Sequence, residues 1–230
     1  MKFLKVNANV VNHLGMIRSE IDILKNITPH PNIVRFLGTH DYGEFILLFT
    51  ELCQAITLED QLELTGRIPE RMLVNHLVEI SRGLAHLHTS LIIHRDVKPS
   101  NIFFNADGNA VIGDFGMATR LSFRDQRRTK CCGTPAYIAP EMVASKSYSF
   151  PVDIWALGVM TYYLLVGDIP FFSDTVSDTY ACIENGEYQR LSHEYSADIR
   201  RVVHTQLLVV DEQSRATAED LADTFEKMKC

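Results

Sequence analysis

Asp96, Lys98 and Asn101 stand close together after His94-Arg95, and Asp114 follows ahead of Phe115 and Gly116. An ionised carboxylate can take a proton from a hydroxyl, and a lysine can neutralise phosphate oxygens. Amide and carboxylate oxygens suit a hard cation such as Mg²⁺, which keeps substrate phosphates among its ligands. Together these residues could move a proton, neutralise an anion and hold a cation. Alone, Asp114-Phe115-Gly116 would be a chance tripeptide, and His94-Arg95-Asp96 a capping aspartate beside a solvated arginine. Their order, with room for two strands between them, weighs against both.

The flanking residues show how such a set would be held. Ile102-Phe103-Phe104 and Val111-Ile112 enclose Asn105-Ala106-Asp107-Gly108-Asn109, a hairpin signal that would bring Asn101 and Asp114 together. Leu73, Leu77, Ile80, Leu84 and Leu87 make one apolar stripe on a helix over Pro69–Ser90. His76, His86 and His88 ride on it without a converging carboxylate or cysteine set, so they are read as structural. Phe3, Leu4 and Val6 begin a strand, and Phe45–Phe49 form another. Ile17, Ile21 and Leu24 predict a helix over Met16–Asn26, closed by His30-Pro31. The apolar run Ala156–Gly167 is too short to span a bilayer and predicts a buried helix.

At 230 residues, with 46% hydrophobic and 22% charged residues, the chain can bury one core or two small lobes. A formal charge of −7 argues against nucleic acid as a partner. The five cysteines show no metal spacing, and Cys131 and Cys132 are too close for a structural disulfide. Reduced thiols, and so a cytoplasmic or nuclear setting, are expected. Met1–Val6 mimics the start of a signal peptide, but Asn7, Asn9 and Asn12 interrupt any apolar core.

His94-Arg95-Asp96-Val97-Lys98-Pro99-Ser100-Asn101, answered by Asp114-Phe115-Gly116, resembles the catalytic core of the eukaryotic protein kinases of serine/threonine type. The resemblance implies that Asp96 orients or accepts the proton of the attacking hydroxyl, that Lys98 stabilises the moving phosphate, and that Asn101 and Asp114 hold Mg²⁺. It implies that Lys2 (Lys5 is the runner-up) clamps ATP phosphates from a strand, paired with Glu20 on the following helix. Thr50, Glu51 and Cys53 would be the gatekeeper and hinge beside adenine, with Phe103 beneath it. Gly133–Glu141 is nearly G-T-P-x-Y-x-A-P-E, so Thr134 would reach Asp96 and Lys98. Glu141 would pair with Arg215, and Asp153 would tie to the backbone around His94-Arg95. Met117–Cys132 resembles the activation loop, where Arg120, Arg124, Arg127, Arg128 and Lys130 oppose only Asp125. That loop reads either as solvated and basic or as a switch in which Arg95 gathers a phosphate on Thr129. Thr129 stands one residue before the family's usual site, which Lys130 occupies.

The implied fold is α+β, a two-lobed kinase-like architecture with a truncated β-rich small lobe over 1–52 and a mainly α-helical large lobe over 53–230. The implied activity is transfer of phosphate from ATP, with Mg²⁺, to protein serine and threonine, with neither nucleic acid nor membrane as partner. No G-x-G-x-x-G hairpin precedes Lys2, so two roof strands and most of a third are expected to be missing. A pseudokinase-like scaffold and a fragment of a longer active kinase are the alternatives. Thr57, Ser100 and Tyr163 stand where arginine-preferring kinases carry acids, so no dominant arginine requirement is expected.

Overall fold

The computed structural model describes residues 1–5 and 11–229. Val6, Asn7, Asn9 and Cys230 therefore lie outside the described residues. β1 (Lys2–Lys5), β2 (Phe36–Tyr42) and β3 (Phe45–Thr50) form an antiparallel sheet in the order β1-β3-β2, with Lys2 opposite Leu48. Side chains alternate across a strand, so Lys2 shares a face with buried Leu4, while Phe3 and Lys5 are exposed on the other. Helix α1 (Val11–Asn26) carries Ile17, Glu20, Ile23 and Leu24, all buried, at helical spacing. It begins at Val11 rather than at the expected Met16, and His30-Pro31 follows its end instead of forming it.

The remainder is mainly helical: α2 (Leu58–Thr65), α3 (Glu70–Thr89), α4 (Pro140–Val143), α5 (Pro151–Val166), α6 (Val176–Asn185), α7 (Ala197–Val202) and α8 (Ala218–Lys227). Two short ladders hold the loops between α3 and α4. β4 (Ile92–Ile93) pairs with β7 (Thr119–Arg120), and β5 (Ile102–Phe104) with β6 (Ala110–Ile112). The α3 stripe Leu73, Leu77, Ile80, Leu84 and Leu87 is 0% exposed. Each such side chain contributes roughly 1.5–3 kcal/mol on leaving water.

Helix α5 is apolar all round and accordingly lies in the core. Its Trp155 stacks on Phe171 with ring centroids 5.2 Å apart. It stops at Gly167 (φ +88°), where a Cβ would lie 2.7 Å from the Gly66 carbonyl oxygen. Among the described residues no helix is long and apolar enough to cross a membrane. Among the bonds that tie this part to the rest, the Val34 N–H donates to the Ile112 carbonyl and the Ile112 N–H to the Asn32 carbonyl, both at 2.9 Å, immediately before Gly113 and Asp114.

Candidate active site

The loop after β4 is fixed from below by Asp153, in the first turn of α5 and 0% exposed. Its Oδ2 accepts the His94 N–H at 2.9 Å and its Oδ1 the Arg95 N–H at 2.8 Å. His88 Nε2–H also donates to Oδ2, at 2.9 Å. Burial pushes the Asp153 carboxyl up, but these donors outweigh it and hold the group below the usual carboxylate range. Arg95 (φ +67°) and Asp114 (φ +53°) both adopt left-handed backbone conformations that side-chain-bearing residues seldom take, and strain of this kind persists where surrounding bonds over-determine it. His94 supplies part of that support: its Nε2–H donates to the Gly113 carbonyl at 3.0 Å, and its ring stands edge-on to Phe115.

Held this way, Asp96 sits inside a closed hydrogen-bond network. Its Oδ1 accepts the Thr134 hydroxyl at 2.8 Å, and its Oδ2 accepts Asn101 Nδ2 at 2.9 Å and lies 2.9 Å from Lys98 Nζ. Lys98 Nζ also donates to Thr134 Oγ1 at 2.8 Å. Across the cleft, Lys2 Nζ reaches Glu20 Oε1 at 2.7 Å and Asp114 Oδ1 at 2.8 Å. Lys5 lies on the opposite, exposed face of β1.

The two carboxylates on Lys2 behave differently because their exposures differ, 4% for the Glu20 side chain against 43% for Asp114. Burial keeps Glu20 above its usual range despite the ammonium group. Burial also pushes Asp114 up, but Lys2 and the Gly116 N–H outweigh it and leave that carboxyl below its usual range. Burial alone would lower the Lys2 pKa, yet its two partners raise it, so the side chain stays cationic.

A cavity of about 410 Å³ opens beside this cluster, lined by Lys2, Glu20, Thr50, Cys53, Phe103 and Asp114 among others. Glu51 also lines it, but its side chain is turned to the Arg35 N–H at 2.8 Å. Among the described residues the Glu51 carbonyl and the Cys53 N–H have no hydrogen-bond partner, which leaves an acceptor and a donor for the edge of a planar base. Burial raises the Cys53 thiol pKa. Sequence reasoning missed Leu24, Val34, Leu48 and Gly113 in this lining, because isolated apolar residues and a glycine carry no local signal of a shared wall.

It also missed Tyr148, and the carboxylate that stands beside Tyr163. Arg95 Nη1 donates to the Tyr148 hydroxyl at 3.0 Å and Arg95 Nε to the Met117 carbonyl at 2.7 Å, while that hydroxyl donates to the Lys130 carbonyl at 2.6 Å. Thr129 is exposed and is not hydrogen-bonded to Arg95. Nearby, Arg120 Nη2 and Arg128 Nε are buried without a partner among the described residues. Tyr163 donates to Glu59 Oε1 at 3.1 Å, so a carboxylate stands beside a position whose own side chain is not acidic. Glu141 and Arg215 meet through two bonds of 2.8 and 2.7 Å, with the Arg215 side chain 0% exposed. Leaving either partner of such a buried pair alone costs about 3–5 kcal/mol.

The donor set fits a hard cation. Asn101 spends its Nδ2 on Asp96 and Asp114 its Oδ1 on Lys2 and the Gly116 N–H, which among the described residues leaves Asn101 Oδ1 and Asp114 Oδ2 free. No group of three or more His, Cys, Asp or Glu side chains among the described residues could hold a metal by itself.

The sequence model of the protein kinase domain matches residues 1–225. The chain is 40% identical over 170 residues to the serine/threonine-protein kinase polo of Drosophila melanogaster, covering 74% of this chain and 29% of that protein. It is 35% identical over 202 residues to the serine/threonine-protein kinase PLK1 of Xenopus laevis, covering 88% and 33%. It is 34% identical over 207 residues to the cell cycle serine/threonine-protein kinase CDC5/MSD2 of Saccharomyces cerevisiae, covering 89% and 29%. The chain thus spans about a third of the length of these curated relatives.

Proposed function

The chain belongs to the protein kinase domain family, and we propose that it transfers the γ-phosphate of ATP to serine and threonine hydroxyls of proteins. The observation that carries this reading is Lys2 bonded at once to Glu20 and to Asp114, residues 18 and 112 positions away. A fold that needed only stability would gain little from gathering these charges beside a cavity. Asp96 receives the proton of the attacking hydroxyl, held in orientation by Asn101 and Thr134. Lys98 and Lys2 neutralise phosphate oxygens from opposite sides. Asn101 and Asp114 would hold Mg²⁺, which supplies further neutralisation when bound. Thr50, Glu51 and Cys53 line the adenine side and Phe103 its floor. The lobes divide at about residue 52, with a cytoplasmic or nuclear setting and neither nucleic acid nor membrane as partner.

The test is transfer of radiolabelled phosphate from ATP–Mg²⁺ to dephosphorylated casein. Asp96→Asn is expected to lower the rate about 10²–10⁴-fold. A wild-type chain that bound ATP but transferred nothing would leave a scaffold.

Phosphate on Thr129 is the proposed activating modification. Arg128 adjoins it, and Arg120, Arg124, Arg127 and Lys130 on the same loop give a phosphate cationic company beyond Arg95. Thr129→Ala should then reduce transfer at least about tenfold in a preparation phosphorylated at that residue. Equal rates with and without the hydroxyl would eliminate the switch.

A further inference from the structure

Cys131 and Cys132 are adjacent on the activation segment, and the chemistry above uses neither. Both are free thiols, Cys131 exposed and Cys132 half-buried. Cys132 lines a small hollow with Arg95, Gly133, Thr134 and Tyr137. Burial raises the pKa of the Tyr148 hydroxyl, and the Cys132 thiol lies close enough to add to the rise. The adjoining backbone has no slack. Gly133 (φ +106°) packs so closely that a Cβ there would lie 2.7 Å from the Arg95 carbonyl oxygen. Thr134 then holds Asp96 and Lys98, at 2.8 Å each. On the other side, the Lys130 carbonyl accepts the Tyr148 hydroxyl at 2.6 Å.

We propose that Cys131-Cys132 is a dithiol modification site, which a hydroperoxide closes to a vicinal disulfide and a trivalent arsenical bridges through both sulfurs. The Cys131 thiolate attacks a peroxide oxygen and breaks the O–O bond, giving a sulfenic acid and, with hydrogen peroxide, one water. Cys132 sulfur then attacks the sulfenic sulfur, forming S–S and expelling a second water with the Cys132 proton. Two thiols lose two electrons in all, and the peroxide gains them. A dithiol reductant returns the electrons and protons by exchange. Consecutive Cα atoms are about 3.8 Å apart, shorter than the roughly 4.4–6.8 Å that relaxed disulfides span. The ring is therefore strained and easily reduced, which makes it a labile bond and not a structural one. Partial desolvation by its neighbours and the adjacent Cys132 hold the Cys131 thiol above its ordinary range, so closure quickens as pH rises. Closure turns the backbone next to Gly133 and loosens the hold of Thr134 on Asp96. That last consequence rests on the kinase reading, whereas the modification itself does not.

Trypsin cuts after Lys130 and Lys146, which releases both thiols on one peptide. The full chain is treated with hydrogen peroxide, blocked with iodoacetamide and digested. The expected peptide is unalkylated and two hydrogens lighter, and dithiothreitol before blocking restores the doubly alkylated form. Its rate of appearance should rise about tenfold per pH unit while the thiol stays mostly protonated. Phenylarsine oxide should add one phenylarsenic group to the untreated wild-type peptide, its oxygen leaving as water with the two thiol protons, and none to Cys131→Ser. Met142 shares the peptide, so fragmentation assigns any added oxygen. Oxygen gained on a single sulfur without loss of hydrogens, a bond to another peptide, or equal arsenical retention by Cys131→Ser would each overturn the site. None of these readouts needs ATP, so a failure here and a failure of the phosphate-transfer assay stay distinguishable.

Discussion

At Gly113 an added Cβ would lie 2.7 Å from the Phe103 ring. That ring lines the cavity beside Lys2, so Gly113→Ala should press it into the space proposed for adenine. Overpacking of this kind costs about 1–3 kcal/mol, which, taken from binding, weakens ATP affinity about 5- to 150-fold. Titration with a fluorescent ATP analogue measures it, and unchanged affinity would show that Phe103 is not the floor. The residues around Asp96 were legible in the sequence because phosphoryl transfer permits few substitutes for a carboxylate, an amide oxygen and an ammonium group at fixed spacing. Gly113 was not, since its constraint comes from a ring on the partner strand. Tyr148 was hidden for the same reason, its partners Arg95 and Lys130 lying elsewhere in the chain.

Among the elements, the π turn Val203–Leu207 after α7 carries a pH dependence. The Leu191 N–H donates to His204 Nε2 at 3.2 Å, while Nδ1 lies 2.7 Å from the Tyr188 hydroxyl. Protonating Nε2 breaks the first of these bonds. Burial, then Arg190 and Arg200, lower the His204 pKa to about 4. The unfolded chain, with a histidine pKa of about 6.5, therefore binds more protons between those values. Stability is complete above about pH 6.5 and falls as pH drops toward 4. We expect a loss of about 1–2 kcal/mol, discounted for a ring that is partly exposed. Urea unfolding at stepped pH should show it, and His204→Gln should flatten that slope. An equal slope in the variant would assign the loss to other groups. Helices α3 and α5 were legible from apolar periodicity and an apolar run. The first turn of α1 and the short ladder of β4 with β7 were not, because a two-residue strand has too little pattern to read.

For the whole molecule, a ligand that binds only the folded state raises its stability by mass action, by about 2.7 kcal/mol at a hundredfold excess over Kd. In a chain of 230 residues that corresponds to a Tm rise of roughly 5–10 °C, at about 2–4 °C per kcal/mol. ATP with Mg²⁺ should produce such a rise, and Asp114→Asn should abolish the part that depends on Mg²⁺. A Tm indifferent to ATP–Mg²⁺ would remove the nucleotide site from the cavity between the sheet and the large lobe.

Sequence by itself determined the kinase-like class, the polar set Asp96, Lys98, Asn101 and Asp114 proposed for catalysis, and the helices whose apolar faces recur in register. Those properties are local, fixed by residue type and spacing along a few turns or one loop. Tertiary structure alone decided that Lys2 and not Lys5 reaches Glu20, since strand alternation turns only one of them inward. It likewise decided that Arg95 rests on Tyr148, and that Glu59 stands beside Tyr163. Contacts of this kind join residues tens of positions apart, and their geometry comes into being only when the core packs.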